Sequence, residues 1–111
     1  MIKMISVTDI KEKAGTLSSP WSPMDVVQVN DQVLRLALFH GSYHWHRHTE
    51  EDELFYVLTG SIRIKLRDQL DIELEAGQLT VIPKGVEHCP EADTPSHVLL
   101  FEPMKLKSKG D

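Results

Sequence analysis

Apolar and polar residues alternate with period two along most of this chain, the pattern of strands that bury one face. Val26 to Val29 and Gln32 to Phe39 flank an Asn30-Asp31 turn and predict a hairpin. In its second arm Leu34, Leu36 and Leu38 share one face, and Val33, Arg35, Ala37 and Phe39 the other. Apolar character on both faces implies a strand covered twice, the second time by another subunit. Ser61 to Arg67 points Ile62, Ile64 and Leu66 inward and Arg63, Lys65 and Arg67 outward. A row of cations can mark a phosphate or nucleic-acid patch, but the solvated face of a strand is the simpler account. Leu70 to Leu74 repeats the alternation after the Asp68-Gln69 turn. Gln78 to Ile82 is a strand ended by Pro83, Lys84-Gly85 a tight turn, and a short strand carrying His88 follows. Ser96 to Phe101 reads as a separate, last buried strand. Roughly seven to nine short strands at regular spacing predict an all-β sandwich or barrel.

The flanks are different in kind. Residues 3–13 fit a short helix or a strand, with Thr8 or Asp9 as a cap, and Gly15 to Pro23 is turn and loop chemistry. Met104 to Asp111 reads as a frayed, lysine-bearing tail. The expected division is an N-terminal arm over 1–25, a β-barrel domain over 26–103 and a tail over 104–111. A chain of 111 residues supports one modest core. A net charge of −5 argues against a nucleic-acid partner. No apolar run approaches the roughly 18 residues of a membrane span, and the stretch Met-Ile-Lys-Met-Ile-Ser does not read as the apolar core of a signal peptide, so neither is expected. A single cysteine, Cys89, fits a reducing compartment, so a cytoplasmic location is expected.

The chemistry is concentrated between Gly41 and Gly60. His44, His46 and His48 stand at every second position, so an extended strand projects them to one side. Glu53 then opens the apolar run Glu-Leu-Phe-Tyr-Val-Leu. Imidazoles and a carboxylate converging on one face are what a divalent metal needs. Phe55 and Val57 share the parity of Glu53 and are expected beside such a site; Leu54, Tyr56 and Leu58 face away.

Two motifs resemble those of the cupin family. Gly41, His46, His48, Glu53 and Gly60 follow the first motif, with four residues separating His48 from Glu53 and six separating Glu53 from Gly60. Gly77, Pro83, Gly85 and His88 follow the second. The chain departs from the pattern in its spacer between Gly41 and His46 and in Ala92, where the family often has Asn. The resemblance implies a small jelly-roll barrel, a double-stranded β-helix, with His46, His48, Glu53 and His88 as ligands of a metal near one end. It also suggests the label mannose-6-phosphate-isomerase-like, which rests on fold alone. Three imidazoles and one carboxylate suit one divalent transition metal: Mn, Fe, Ni, Co, Cu or Zn. A six-coordinate ion would keep two positions open, unlike a closed structural zinc site.

The remaining candidates have two readings each. His44 either supports a ligand or is an exposed strand histidine. His97 is a general base if it faces the cavity, and an ordinary strand residue otherwise. Cys89 should point away from His88, as a small buried hydrophobe. Glu50, Glu51 and Asp52 are expected to be solvated, although a register slip would bring Glu50 or Glu51 into the ligand position. No arginine clamp for a phosphate is evident unless Arg35 turns inward. The expected protein is a homodimer that binds a small molecule at a metal. It is either an enzyme of isomerase or oxygenase type, acting on a small organic acid or carbohydrate-like substrate, or a non-catalytic binding or sensing module. Its catalytic residues are not identifiable from sequence.

Overall fold

The structure, a computed structural model, describes residues 2–111. Its elements in chain order are α1 (Ile10–Gly15), β1 (Met24–Val29), β2 (Gln32–Ser42), β3 (Glu53–Thr59), β4 (Ser61–Leu66), β5 (Ile72–Glu75), β6 (Leu79–Ile82) and β7 (His88–Pro103). The flank that fitted either helix or strand forms the short helix α1. Asp9 caps it, its carboxylate accepting the Glu12 N–H at 3.2 Å. Residues 2–9 run outside any helix or strand, with Ile2, Met4, Ile5 and Val7 exposed.

Every strand pairing is antiparallel. The seven strands form one continuous sheet, whose larger part has the order β1-β2-β7-β3-β6, and β4 joins β5 to the first half of β7. The expected hairpin forms with its turn at Asn30, which takes a left-handed φ of 53°. The two strands read separately around His88 and around Ser96 to Phe101 are one strand, β7. Its residues 88–91 pair with β4, and residues 96–103 pair with β2 on one side. On its other side residues 97–101 pair with β3. Pro90 and Pro95 disguise this continuity in the sequence, because proline normally interrupts a ladder. A single strand that keeps β2 on one side, through residues 91–92 and 96–103, and exchanges β4 for β3 on the other is what folds the antiparallel ribbon into a jelly roll.

The inward parity produces the core. Ala37 and Phe39 from β2, Phe55 and Val57 from β3, Ile62 and Ile64 from β4, and Val98 and Leu100 from β7 are all buried in one cluster. Arg35 is also on the inward face of β2, as its parity requires, and is only 8% exposed. Leu70, expected in β5, falls outside the strand and is solvent exposed. The tail is not frayed. Leu106 is 3% exposed, the Arg35 guanidinium donates to the Met104 and Leu106 carbonyls, and Met104 N–H donates to Asp31.

The turn between β3 and β4 depends on Gly60. Its φ is 82°, and a Cβ placed there would collide with the Ser96 side chain. Gly60→Ala is expected to cost about 1–3 kcal/mol, read as a lowered urea midpoint. An unchanged midpoint would show that the turn relaxes without strain.

Candidate metal centre

His46 and His88 meet across a small antiparallel bridge. His46 N–H donates to the His88 carbonyl at 3.0 Å, and His88 N–H returns the bond at 2.9 Å. Such a doubly bonded pair puts both side chains on the same side of the ribbon. His48 lies two residues beyond His46, and its carbonyl is held by the Gly85 N–H at 2.8 Å. Gly85 has a φ of 83°, so the Pro-Lys-Gly turn serves to anchor the histidine strand. Glu53 begins β3 opposite Ile82, with its side chain on the inward face shared by Phe55. Three residues of one short segment and the distant His88 are thereby brought together, with donor atoms all within 4.8 Å of one another.

The polar atoms of this cluster are poorly served by the protein. Nδ1 and Nε2 of His48, Nε2 of His88 and Oε1 of Glu53 are buried and have no hydrogen-bond partner. Leaving such groups unpaired costs on the order of 1–3 kcal/mol each. The backbone also fixes two tautomers. His46 Nδ1 donates to the His44 carbonyl at 3.0 Å, and His88 Nδ1 donates to the Val86 carbonyl at 2.9 Å. Both neutral rings therefore carry their lone pair on Nε2. For His88 that lone pair lies 3.6 Å from Glu53 Oε1, acceptor against acceptor. His48 Nε2 is 3.2 Å from the same oxygen but off the line that a hydrogen bond requires. A divalent transition ion between these atoms would turn every mismatch into a coordinate bond, so the donor set fits one.

Titration follows the same geometry. Burial pushes His46 down to about 4, and the neighbouring His88 and His48 push in the same direction. For Glu53, burial opposes ionisation, but a proton carried on the His48 or His88 nitrogen that faces it, and a hydrogen bond from Glu102, hold it below the usual carboxylate range. Neutral imidazoles and an ionised carboxylate are the states a metal needs. Glu102 behaves oppositely. Burial, and then the charge of Glu53, raise it well above the usual range, while Arg35 Nη1 at 2.7 Å pulls it back.

Beside the cluster lies a small cleft, part of it open to solvent. His46 and Glu53 form its polar end, and Trp21, Phe39, Tyr43 and Phe55 are its walls. The tail closes one side, with Ser108 in the lining and Gly110 against His46. Three contacts hold it there. The Asp111 carboxylate accepts Thr49 N–H at 2.7 Å, Asp111 N–H donates to the Arg47 carbonyl, and His44 Nε2 donates to the Lys109 carbonyl at 2.9 Å.

Comparison with known proteins follows from this architecture. The Cupin domain family matches residues 39–102. The chain belongs to the cupin family. It is 38% identical to a cupin-2 domain containing protein from Shewanella frigidimarina, covering 87% of this chain and 94% of that one with a TM-score of 0.84. It is 40% identical over 80 residues to the uncharacterized protein YdbB of Bacillus subtilis, 72% of this chain and 65% of that protein. It is 31% identical over 88 residues to an acireductone dioxygenase from a Sulfurihydrogenibium species, 77% of this chain and 46% of that enzyme. The cupin chain thus spans less than two-thirds of these two relatives' lengths.

Other candidates in this cupin are placed as follows. His44 is exposed and supports His46 through its carbonyl. His97 points away from the core and pairs with the Thr59 hydroxyl at 2.9 Å, so it does not face the cleft. Cys89 is buried with its sulfur toward the Tyr43 carbonyl. Glu51 is buried rather than solvated, grouped with His48 and Asp111. Asp52 caps the Pro-Lys-Gly turn through the Lys84 N–H at 2.8 Å, and Glu50 is exposed. Val57 is buried in the core rather than in the cleft lining. The sequence reading missed Glu102 and Trp21. Glu102 had a signal, since an acid shares the inward parity of Val98 and Leu100; Trp21 in its loop had none.

The depressed His46 sets a pH dependence. Its ordinary value of 6.5 falls to about 4 on folding, so between those values the unfolded chain binds a proton the folded chain refuses. Stability then rises with pH across that window. Metal-free protein is expected to lose urea resistance as pH falls from 6.5 toward 4, and His46→Gln to flatten that profile. Parallel profiles would contradict the assignment.

Proposed function

We propose that His46, His48, Glu53 and His88 hold one divalent transition ion, drawn from Mn, Fe, Ni, Co, Cu and Zn. We propose further that the protein is a metal-dependent enzyme of oxygenase type acting on a small organic ligand. The observation that carries this reading is the set of buried, unpartnered donor atoms converging at the cleft. The similarity to an acireductone dioxygenase supports oxygenase over isomerase chemistry. A bound ion with open positions would supply Lewis acidity and a place for an oxygen-donor ligand.

The chain's own residues do the rest. The carbonyls of His44 and Val86 fix the tautomers of His46 and His88, so their lone pairs face the site. Glu102, held by Arg35, sits against Glu53 and limits where that carboxylate can turn. The aromatic walls exclude water from the ligand. A sugar-phosphate isomerase would need a free cation for its phosphate. Arg35 turns inward but spends its donors on Asp25, Glu102 and the Met104 and Leu106 carbonyls.

One observation favours a non-catalytic binding module instead. Apart from the proposed ligands, the cleft offers only the hydroxyls of Tyr43 and Ser108 as proton-handling groups among its lining residues. Elemental analysis decides first: about one equivalent of a transition metal is expected, with most of it lost in His46→Ala and His88→Ala. Oxygen uptake with candidate ligands then separates the readings. Tight binding without turnover at any loaded metal supports the module, and the absence of metal after reconstitution rejects the metal-dependent enzyme and leaves the module in front.

We propose in addition that two copies pair through the outer face of the larger part of the sheet, near β1 and β2. One row across that face runs Val27, Leu34, Phe101, Leu54 and Val81. Val27, Phe101 and Val81 in that row are 46%, 37% and 47% exposed. The arm's Ile2, Met4, Ile5 and Val7 are each at least 89% exposed. A second copy covers both surfaces at once, and no charge on that row opposes it. Sedimentation is expected to give a dimer that Phe101→Lys with Val81→Lys converts to monomer. A monomeric wild type at micromolar concentration would reject the pairing.

A further inference from the structure

The cleft carries more information about its ligand than the metal ligands do. Trp21 sits in a loop, yet it is pinned. Its N–H donates to the Leu38 carbonyl at 2.9 Å and its indole Nε1–H to the His40 carbonyl at 3.0 Å. It is also held at a φ of 62°, a left-handed backbone that a bulky side chain rarely adopts. Backbone strain of this kind persists where the surroundings enforce it, and it concentrates at ligand sites. The ring so placed lies 4.4 Å from Phe39 and 4.9 Å from Tyr43, centroid to centroid. From there two aromatic chains run to the proposed metal ligands. One passes through Tyr43 to His46 at 5.4 Å, the other through Phe39 and Phe55 to His88 at 6.0 Å.

The ionisable metal-ligand candidates His46 and Glu53 sit at one end, and among the described residues the lining contains no lysine or arginine. Three neutral imidazoles, one carboxylate and a divalent ion leave a net charge of +1, which one anionic oxygen donor neutralises. Nothing further in would neutralise a second anion.

Resting on the proposed metal site, we infer that the ligand is a small planar ring bearing an anionic oxygen donor at one end, a phenolate or aromatic carboxylate, with Trp21 as the residue that selects the ring. The oxygen meets the metal while the ring lies against Trp21, Tyr43 and Phe39. Offset ring contacts then add to simple area burial. Phosphorylated and dianionic ligands are disfavoured, because their second charge would enter an apolar wall without a partner.

The test uses cobalt-reconstituted protein, titrated with catechol, benzoate, acetate and inorganic phosphate, and followed by the cobalt absorption and by tryptophan fluorescence. Catechol or benzoate is expected to bind at least about tenfold more tightly than acetate, with phosphate weaker still. Trp21→Ala should bring the ring ligands down to the acetate level while metal content and acetate affinity stay unchanged. Trp21→Phe should restore most of the difference, which separates ring selection from a folding defect. Equal affinities for benzoate and acetate, or a Trp21→Ala loss shared by all four probes, overturns the ring selection while leaving the metal site standing. A protein that takes up no cobalt overturns the metal reading, and this inference with it.

Discussion

Burying the carboxylate of Glu53, 4% exposed, obliges the rest of this small protein to supply positive charge or hydrogen bonds around it. The chain supplies imidazoles whose protons are already committed elsewhere, and a second carboxyl group, Glu102, on the adjacent inward position of β7. Arg35 reaches across from β2 to steady Glu102. Of these two buried acids only Glu102 bonds the guanidinium, and Glu53 has the histidines beside it instead. An uncompensated arrangement of this kind is expensive for folding, and proteins keep it where it does something.

The barrel positions this cluster with backbone rather than with side-chain packing. The bridge between His46 and His88 and the Gly85 contact to His48 are all main-chain bonds. Main-chain geometry varies little with the surrounding side chains, so the ligand set is held to a tight tolerance. The aromatic walls can therefore differ without disturbing the donors. This separation explains how one scaffold hosts many reactions.

Much of this was legible in the sequence, for identifiable reasons. Period-two alternation revealed β3 and β4 with their inward faces, because each buries one side only, and it revealed β2 although Leu36 on its other face is buried too. The spacing of His46, His48 and Glu53 marked the cluster, since strand parity alone puts the two histidines on one side. Three features escaped. Pro90 and Pro95 hid the unity of β7, because proline signals an end even where one strand runs on and exchanges partners. Trp21 was invisible because its role comes from a loop conformation that composition does not encode. The tail looked solvated because lysines dominate it, while its contacts use Leu106, Gly110, Asp111 and backbone carbonyls.

The unity of β7 has a consequence for how the molecule comes into being. β2, β3 and β4 each find a pairing partner in this one strand, which leaves the ribosome after all three. Until residues 88–103 emerge, β2, β3 and β4 lack the neighbour that joins them into one sheet. Non-local pairing of this type makes folding slow and leaves apolar strands waiting. His88 is the first residue of that late segment, so the fourth donor arrives with the closing strand itself. Synthesis order thus keeps the complete site from existing before the barrel around it does.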